Sequence, residues 1–362
     1  MKPTTLTLAI LFSLVVSLTA ETKAVLKTDQ IPVGGKSLVW SPLFQASWDK
    51  LNSRRKGKLV KITPPNALMT MLDSFHWKET EVMPEGGYAV FAGPATAEFA
   101  ADVRNRVLKQ FKYNMGEGRI PTSDRGDAVF GVLVRDLNFK QRFFRSRKSP
   151  LKFQGNDAKI HKVAYFGTAG NYSNKYGNNV KVLRYENRGK SFILSIATDQ
   201  HEERLIIYRP DRALSFDRAI AHVNDAIKAP LAGPTGSVTD SNLHKKDTLK
   251  IPYLNIKSDT DFSKQLEGLR HYSGESRPWL ITQAYQITQF DLFEKGARVR
   301  VETGTGMDPF GGVPSKPRKI IYIPRMFICD RPFFVFTWKK EAPLPYFATW
   351  VDSKDVLELF RK

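Results

Sequence analysis

Apolar positions recur at helical spacing through the first third of the chain and as short, denser runs beyond it. Phe44, Trp48 and Leu51 follow Ser41-Pro42 and predict a helix opening near Leu43; Ala67, Leu68, Met71 and Leu72 follow Pro64-Pro65 and predict a second. Phe99, Val103, Val107, Leu108 and Phe111 predict a third. From Phe130 the texture changes. Residues 130–134, 180–183 and 192–196 are β-branched or aromatic runs bounded by Gly and Asn, which predicts strands. A fourth helix is predicted over 216–227, a Pro/Gly/Ser-rich connection over 230–237, and strand again over 249–256. Residues 331–338 and 347–351 are apolar enough for a hairpin buried on both faces, with 341–345 at its turn. Helices followed by strands, with no fixed-period repeat, predict an α+β domain with mixed and antiparallel sheets rather than a doubly wound one.

The 362 residues allow two domains or one large one, and 41% hydrophobic with 25% charged residues is an ordinary globular balance. Cys329 is the single cysteine, which excludes an internal disulfide, a CxxC-type zinc site and an iron–sulfur cluster. Lys2, the greasy stretch from Leu6 to Leu18, and Leu18-Thr19-Ala20 read as a signal peptide over 1–20, cleaved after Ala20 and followed by a mobile segment over 21–36. The apolar run is shorter than the ~20 residues that span a bilayer. The expected location is therefore secreted or periplasmic, and the lack of disulfides suits a bacterial envelope.

Cleavage removes one of the 56 Lys and Arg and none of the 36 acids, taking the formal charge from +20 to +19. Such a field holds a protein near an acidic polysaccharide or another anionic surface in a salt-dependent way. Arg142, Arg145, Arg147 and Lys148 form one basic cluster that could bind a polyanion; Arg54-Arg55-Lys56-Lys58 and Arg318-Lys319 are others. Solvated basic faces without a chosen partner are the plainer reading of all three. Nucleic acid is not expected for an exported chain, and a monomer is.

Catalytic chemistry is not apparent. The six histidines are scattered, and His201 beside Glu202 and Glu203 is more simply a charged turn than an acid/base group. Gly304-Thr305-Gly306 and Gly311-Gly312 complete no phosphate-binding motif. With no paired nucleophile and base, a hydrolase is set aside, and no metal or cofactor is expected.

Several segments in order resemble the serpin family. Leu38–Phe44 is similar to its Ser-Pro helix start, residues 130–143 to its central strand running into a Phe-Lys-Gly-x-Trp turn, and Phe153 to the Phe beyond that turn. Residues 180–196 resemble two paired strands of the second sheet; Leu249–Ile256, Asp261-Phe262 and 266–269 resemble the Pro-x-Phe strand and the helix after it. Phe293–Ala297 resembles the hinge, Ile323–Phe336 the strand after the reactive loop, and Tyr346–Asp352 the closing strand.

The resemblance implies one serpin-like domain over 37–362 with an exposed reactive loop at about 296–322. A serine endopeptidase attacks that loop as a substrate, and the cut loop inserts into the main sheet as a new strand. The hinge would be Glu294, Lys295, Gly296, Ala297, Val299, Val301 and Thr303. Ala297, Val299, Val301 and Thr303 fall on one face of such a strand and Arg298, Arg300 and Glu302 on the other, an alternation that permits insertion. Pro309 has no N–H for a central sheet, which limits easy insertion to 297–308, a reach of about 40 Å. The loop is long, 36 positions from Gly296 to Pro332. Counting forward from the hinge puts the scissile bond near Phe310-Gly311, for a chymotrypsin- or subtilisin-like enzyme. Counting back from Ile323-Pro324 puts it near Ile321-Tyr322, with Arg318 or Lys319 inviting a trypsin-like one, and that later bond leaves slack. The family's polar cluster under the sheet opening is altered, with Arg135 and Gln286 at its Asn and His positions. Inhibition of serine endopeptidases is expected; the alternative is a non-inhibitory serpin-like binding or structural protein of the envelope with a basic, polyanion-binding surface.

Overall fold

A computed structural model describes residues 22–55, 59–114, 116, 118–120, 122–123, 126–168, 176–229, 241–299 and 323–361. The expected α+β architecture is found. A seven-stranded sheet runs in the order Lys23–Ala24, Leu38–Trp40, Phe347–Val351, Phe333–Lys339, Glu203–Arg209, Ser191–Ala197, Val180–Glu186. The hairpin read over 331–351 lies in it, and Phe333 to Trp338 are all buried because both faces of the sheet are covered. Helix Phe216–Lys228 seals one face, packing Phe216, Ile220 and Val223 against Phe334, Phe336 and Trp350. The other face meets a core shared with the remaining sheets.

The helices follow their apolar stripes. Helix Ala67–Ser74 is capped by Asn66, whose side chain accepts from the amides of Leu68 and Met69. Helix Ala97–Phe111 is capped by Thr96 and ends at Lys112 in the left-handed conformation, φ 54°. It lays Val103, Val107 and Phe111 over Ala128, Val132 and Val134.

Three expectations are corrected. Residues 21–36 are not uniformly loose: Lys23–Ala24 pairs in parallel with Leu38–Trp40, and the Ala24 amide donates to Thr260 Oγ1 at 2.8 Å. The first third also holds strands Leu59–Thr63 and Tyr88–Pro94. The helix expected near 266–269 is a single 3-10 turn, Ser263–Leu266, followed by strand Leu269–Tyr272, because Glu267-Gly268 interrupts the segment before a second turn can form.

Candidate functional site

Strand Arg135–Asn138 and strand Tyr285–Phe293 are joined by a third, Gly296–Val299, lying between them. Val299 pairs with Phe290 on one side and Arg135 on the other, and Gly296 with Phe293 and Asn138. Along the chain before Arg135 lies strand Asp127–Leu133, paired on its far side with Tyr88–Pro94. Strand Leu254–Asp261 covers the far side of Tyr285–Phe293. Among the described residues, no strand pairs with the facing edges of Asp127–Leu133 and residues 285–289. The inserted strand holds its two neighbours two spacings apart, about 9.5 Å. The seam beyond it is therefore one strand wide at its closed end, and a cavity of about 1030 Å³ runs along it, lined by residues 127–133, 285–289 and Val299.

Packing fixes this geometry. Helix Leu43–Arg54 lies against the seam's inner side, and Gly131 lets it approach: a Cβ there would stand 2.5 Å from Ser47 Oγ. Ala297 and Val299 are buried, while Arg298 between them is partly exposed and forms an ion pair with Asp136 at 3.3 Å. Gly296 permits a close approach, since a Cβ would stand 2.2 Å from the Leu137 carbonyl oxygen.

The turn before this strand is clamped. The amides of Phe143 and Phe139 donate to the carbonyls of Glu294 and Lys295 at 2.9 and 2.7 Å. The Glu294 carboxylate, 7% exposed as a residue, accepts from Tyr253 Oη at 2.8 Å and Arg142 Nη2 at 2.6 Å. Burial alone would raise the Glu294 pKa; the hydrogen bonds from Tyr253, its own backbone and Arg142 outweigh burial and hold it below the ordinary value. Arg142 is thus engaged with the turn before Gly296–Val299, and Arg145 bonds Glu358 at 3.0 Å and stacks over Tyr253, so two of the four residues read as a polyanion cluster make internal contacts. Arg147 and Lys148 are exposed. Arg54 pairs with Asp127 at 2.8 Å, and Arg55 stacks on Trp279 at 3.3 Å.

Arg135 and Gln286 sit at opposite ends of the region. Arg135, beside Val299, donates from Nε to both Glu203 oxygens at 2.9 and 3.0 Å, and Glu203 also accepts from Tyr346 Oη at 2.6 Å. Burial first, and then Glu203, push the Tyr346 hydroxyl well above its ordinary pKa. Glu203 is therefore a structural anion joining the seam's closed end to the seven-stranded sheet, a role its place after His201 and Glu202 did not signal. Gln286 lines the open part; its Nε2 donates to Thr288 Oγ1 at 3.2 Å, and its buried Oε1 has no partner among the described residues. Val301, Thr303, Phe310, Gly311, Arg318, Lys319, Ile321 and Tyr322 lie outside the described residues. Beyond these residues Met326–Ile328 runs parallel to Thr248–Pro252, and Arg325 bonds Asp247 at 2.8 Å.

The architecture is the serpin fold. The chain is similar to a thermophilic serpin, tengpin, in its native state, with a TM-score of 0.52 and 11% identity over 90% of each chain. It is similar to human glycosylated kallistatin with a TM-score of 0.52 and 12% identity, covering 89% of this chain and 92% of that one. A thyroxine-binding globulin in complex with thyroxine gives a TM-score of 0.50 and 11% identity, covering 89% and 94%. No family model matches the sequence, and no curated protein matches it. At such identities the likeness is one of fold, and a thyroxine-binding globulin among the three means that the fold alone assigns no partner.

Proposed function

We propose that the protein is an exported serpin-like inhibitor of serine endopeptidases, working by cleavage of residues 300–322 and insertion of the cut loop into the seam. The observation that carries the reading is the seam itself: a slot one strand wide at its closed end, entered there by Gly296–Val299. Antiparallel partners step in opposite directions, so position 300 would face 134 and position 307 would face Asp127. Val301 would then stand by Thr288 and Leu133, and Thr303 by Gln286 and Gly131, where its hydroxyl could donate to the unpartnered Gln286 Oε1. The slot thus ends near the limit that Pro309 sets from the sequence.

That length bears on where the bond must be cut. Insertion through position 307 leaves little tether before Phe310-Gly311 and a long slack before Arg318-Lys319 or Ile321-Tyr322. Trapping therefore favours the earlier bond and a chymotrypsin- or subtilisin-like enzyme, whereas cutting at the later ones yields only a cleaved substrate. Incubation with a protease panel tests this by denaturing electrophoresis and intact mass. Denaturant-resistant complexes with cleavage at Phe310-Gly311 are expected; clean cleavage with every enzyme and no complex would leave a non-inhibitory binding protein.

A further inference from the structure

We propose that the two-stranded ribbon Leu151–Gln154 and Ile160–Val163, with the neighbouring loop around Val33, is a docking face for an anionic lipid surface. The ribbon's register sets Lys152 directly opposite Lys162. Like charges so placed repel and destabilise a pair of strands, and the cross-strand pair beside them on that face, Gln154 and Ile160, carries no charge. Lys159 is exposed at the ribbon's end, and Arg361 is exposed beside the adjoining C-terminal segment, where Phe360 N–H donates to the Lys162 carbonyl. Of the nearby acids, Glu358 pairs with Arg145, and Asp157 lies at the turn, 3.5 Å from His161.

Apolar side chains are exposed in the same region. Val33 is 75% exposed, and Ile160, on the ribbon face of the paired lysines, 63%. Gly35 packs against Asp157, which brings the loop around Val33 to the ribbon's turn. The turn between the strands is held rigidly, with the Asn156 amide and side chain both donating to the buried Asp352 carboxylate at 2.7 and 2.6 Å. A linear polyanion would need the lysines only. Exposed aliphatics beside lysines that make no ion pair among the described residues fit a membrane interface, where the apolar groups enter the headgroup region and the cations meet anionic lipid. The net charge of +20 makes the approach favourable and salt-dependent.

The full chain is tested by co-sedimentation with phosphatidylcholine vesicles, with and without phosphatidylglycerol. Binding is expected only to the anionic vesicles, weakened about fivefold for each lysine removed in K152Q/K162Q and several-fold in V33N/I160N, with K109Q/K228Q on the helices binding like the parent. K152Q/K162Q should melt at or above the parent's temperature, as relief of a like-charge pair requires. The proposal is overturned if anionic vesicles are not bound or if K109Q/K228Q weakens binding as much as K152Q/K162Q. It is also overturned if V33N/I160N binds vesicles unchanged while K152Q/K162Q loses dextran sulfate equally, which would make the face a polyanion site.

Discussion

Replacing Ala297 by arginine should separate a loop that can insert from one that cannot. Ala297 is 2% exposed and sits in register between Leu292 and Leu137. The acids at this end of the strands are engaged elsewhere, Asp136 by Arg298 and Asp291 by Asn255 at 2.6 Å. A guanidinium at this point is therefore an uncompensated buried charge, costing about 3–5 kcal/mol. Against that, the strand Gly296–Val299 buries one methyl group and one valine side chain, roughly 2–4 kcal/mol together. At mid-range the cost exceeds the gain, so the strand should leave the sheet and the domain should stay folded, with a melting temperature a few degrees lower. Melting is then measured before and after the loop is cut by a protease. The parent should gain stability on cleavage as the loop fills the seam, Ala297→Ser should do the same, and A297R should gain nothing. A297R gaining as much as the parent would refute the reasoning.

Other outcomes follow from single contacts. Tyr253→Phe removes a buried hydrogen bond to a carboxylate and should destabilise by about 1.5–3 kcal/mol at neutral pH. Because the Glu294 pKa is held down by folding, its stabilisation is present above the ordinary carboxylate value of about 4.3 and lost as pH falls through the depressed one; the gap between Tyr253→Phe and the parent should shrink there, and a gap constant down to acid pH contradicts the clamp. Gly296→Ala sets a Cβ against the Leu137 carbonyl and should cost about 1–3 kcal/mol in urea titrations; parent-like stability would place the hinge outside the sheet. Cys329 is fully buried and burial raises its thiol pKa, so iodoacetamide should label it only on unfolding, and mass spectrometry showing rapid native labelling would disprove that packing.

Much of the fold was legible because local pattern and tertiary role agreed. Trp48 and the runs around Phe334 and Trp350 are buried as their spacing predicted, with Phe44 and Leu51 partly buried beside Trp48. Strand Tyr88–Pro94 carries its signal in the apolar run between Gly86-Gly87 and Pro94. The seam was less accessible. Its walls, 127–133 and 285–289, are far apart in sequence, and the alternation of Ala297 and Val299 is the same whether the strand lies in the sheet or outside it. The partner of Arg142 was hidden for the same reason: nothing local to it marks Glu294, 152 residues away. The ribbon lysines, ten residues apart across a turn, became a pair only through their register.

Amide hydrogen exchange on the intact and loop-cleaved protein tests the insertion reading most directly. Seam-facing amides of 127–133 and 285–289 should exchange readily in the intact protein and become strongly protected once the loop is cut, with new protection across 300–307. Unchanged exchange along both edges after complete cleavage would contradict it.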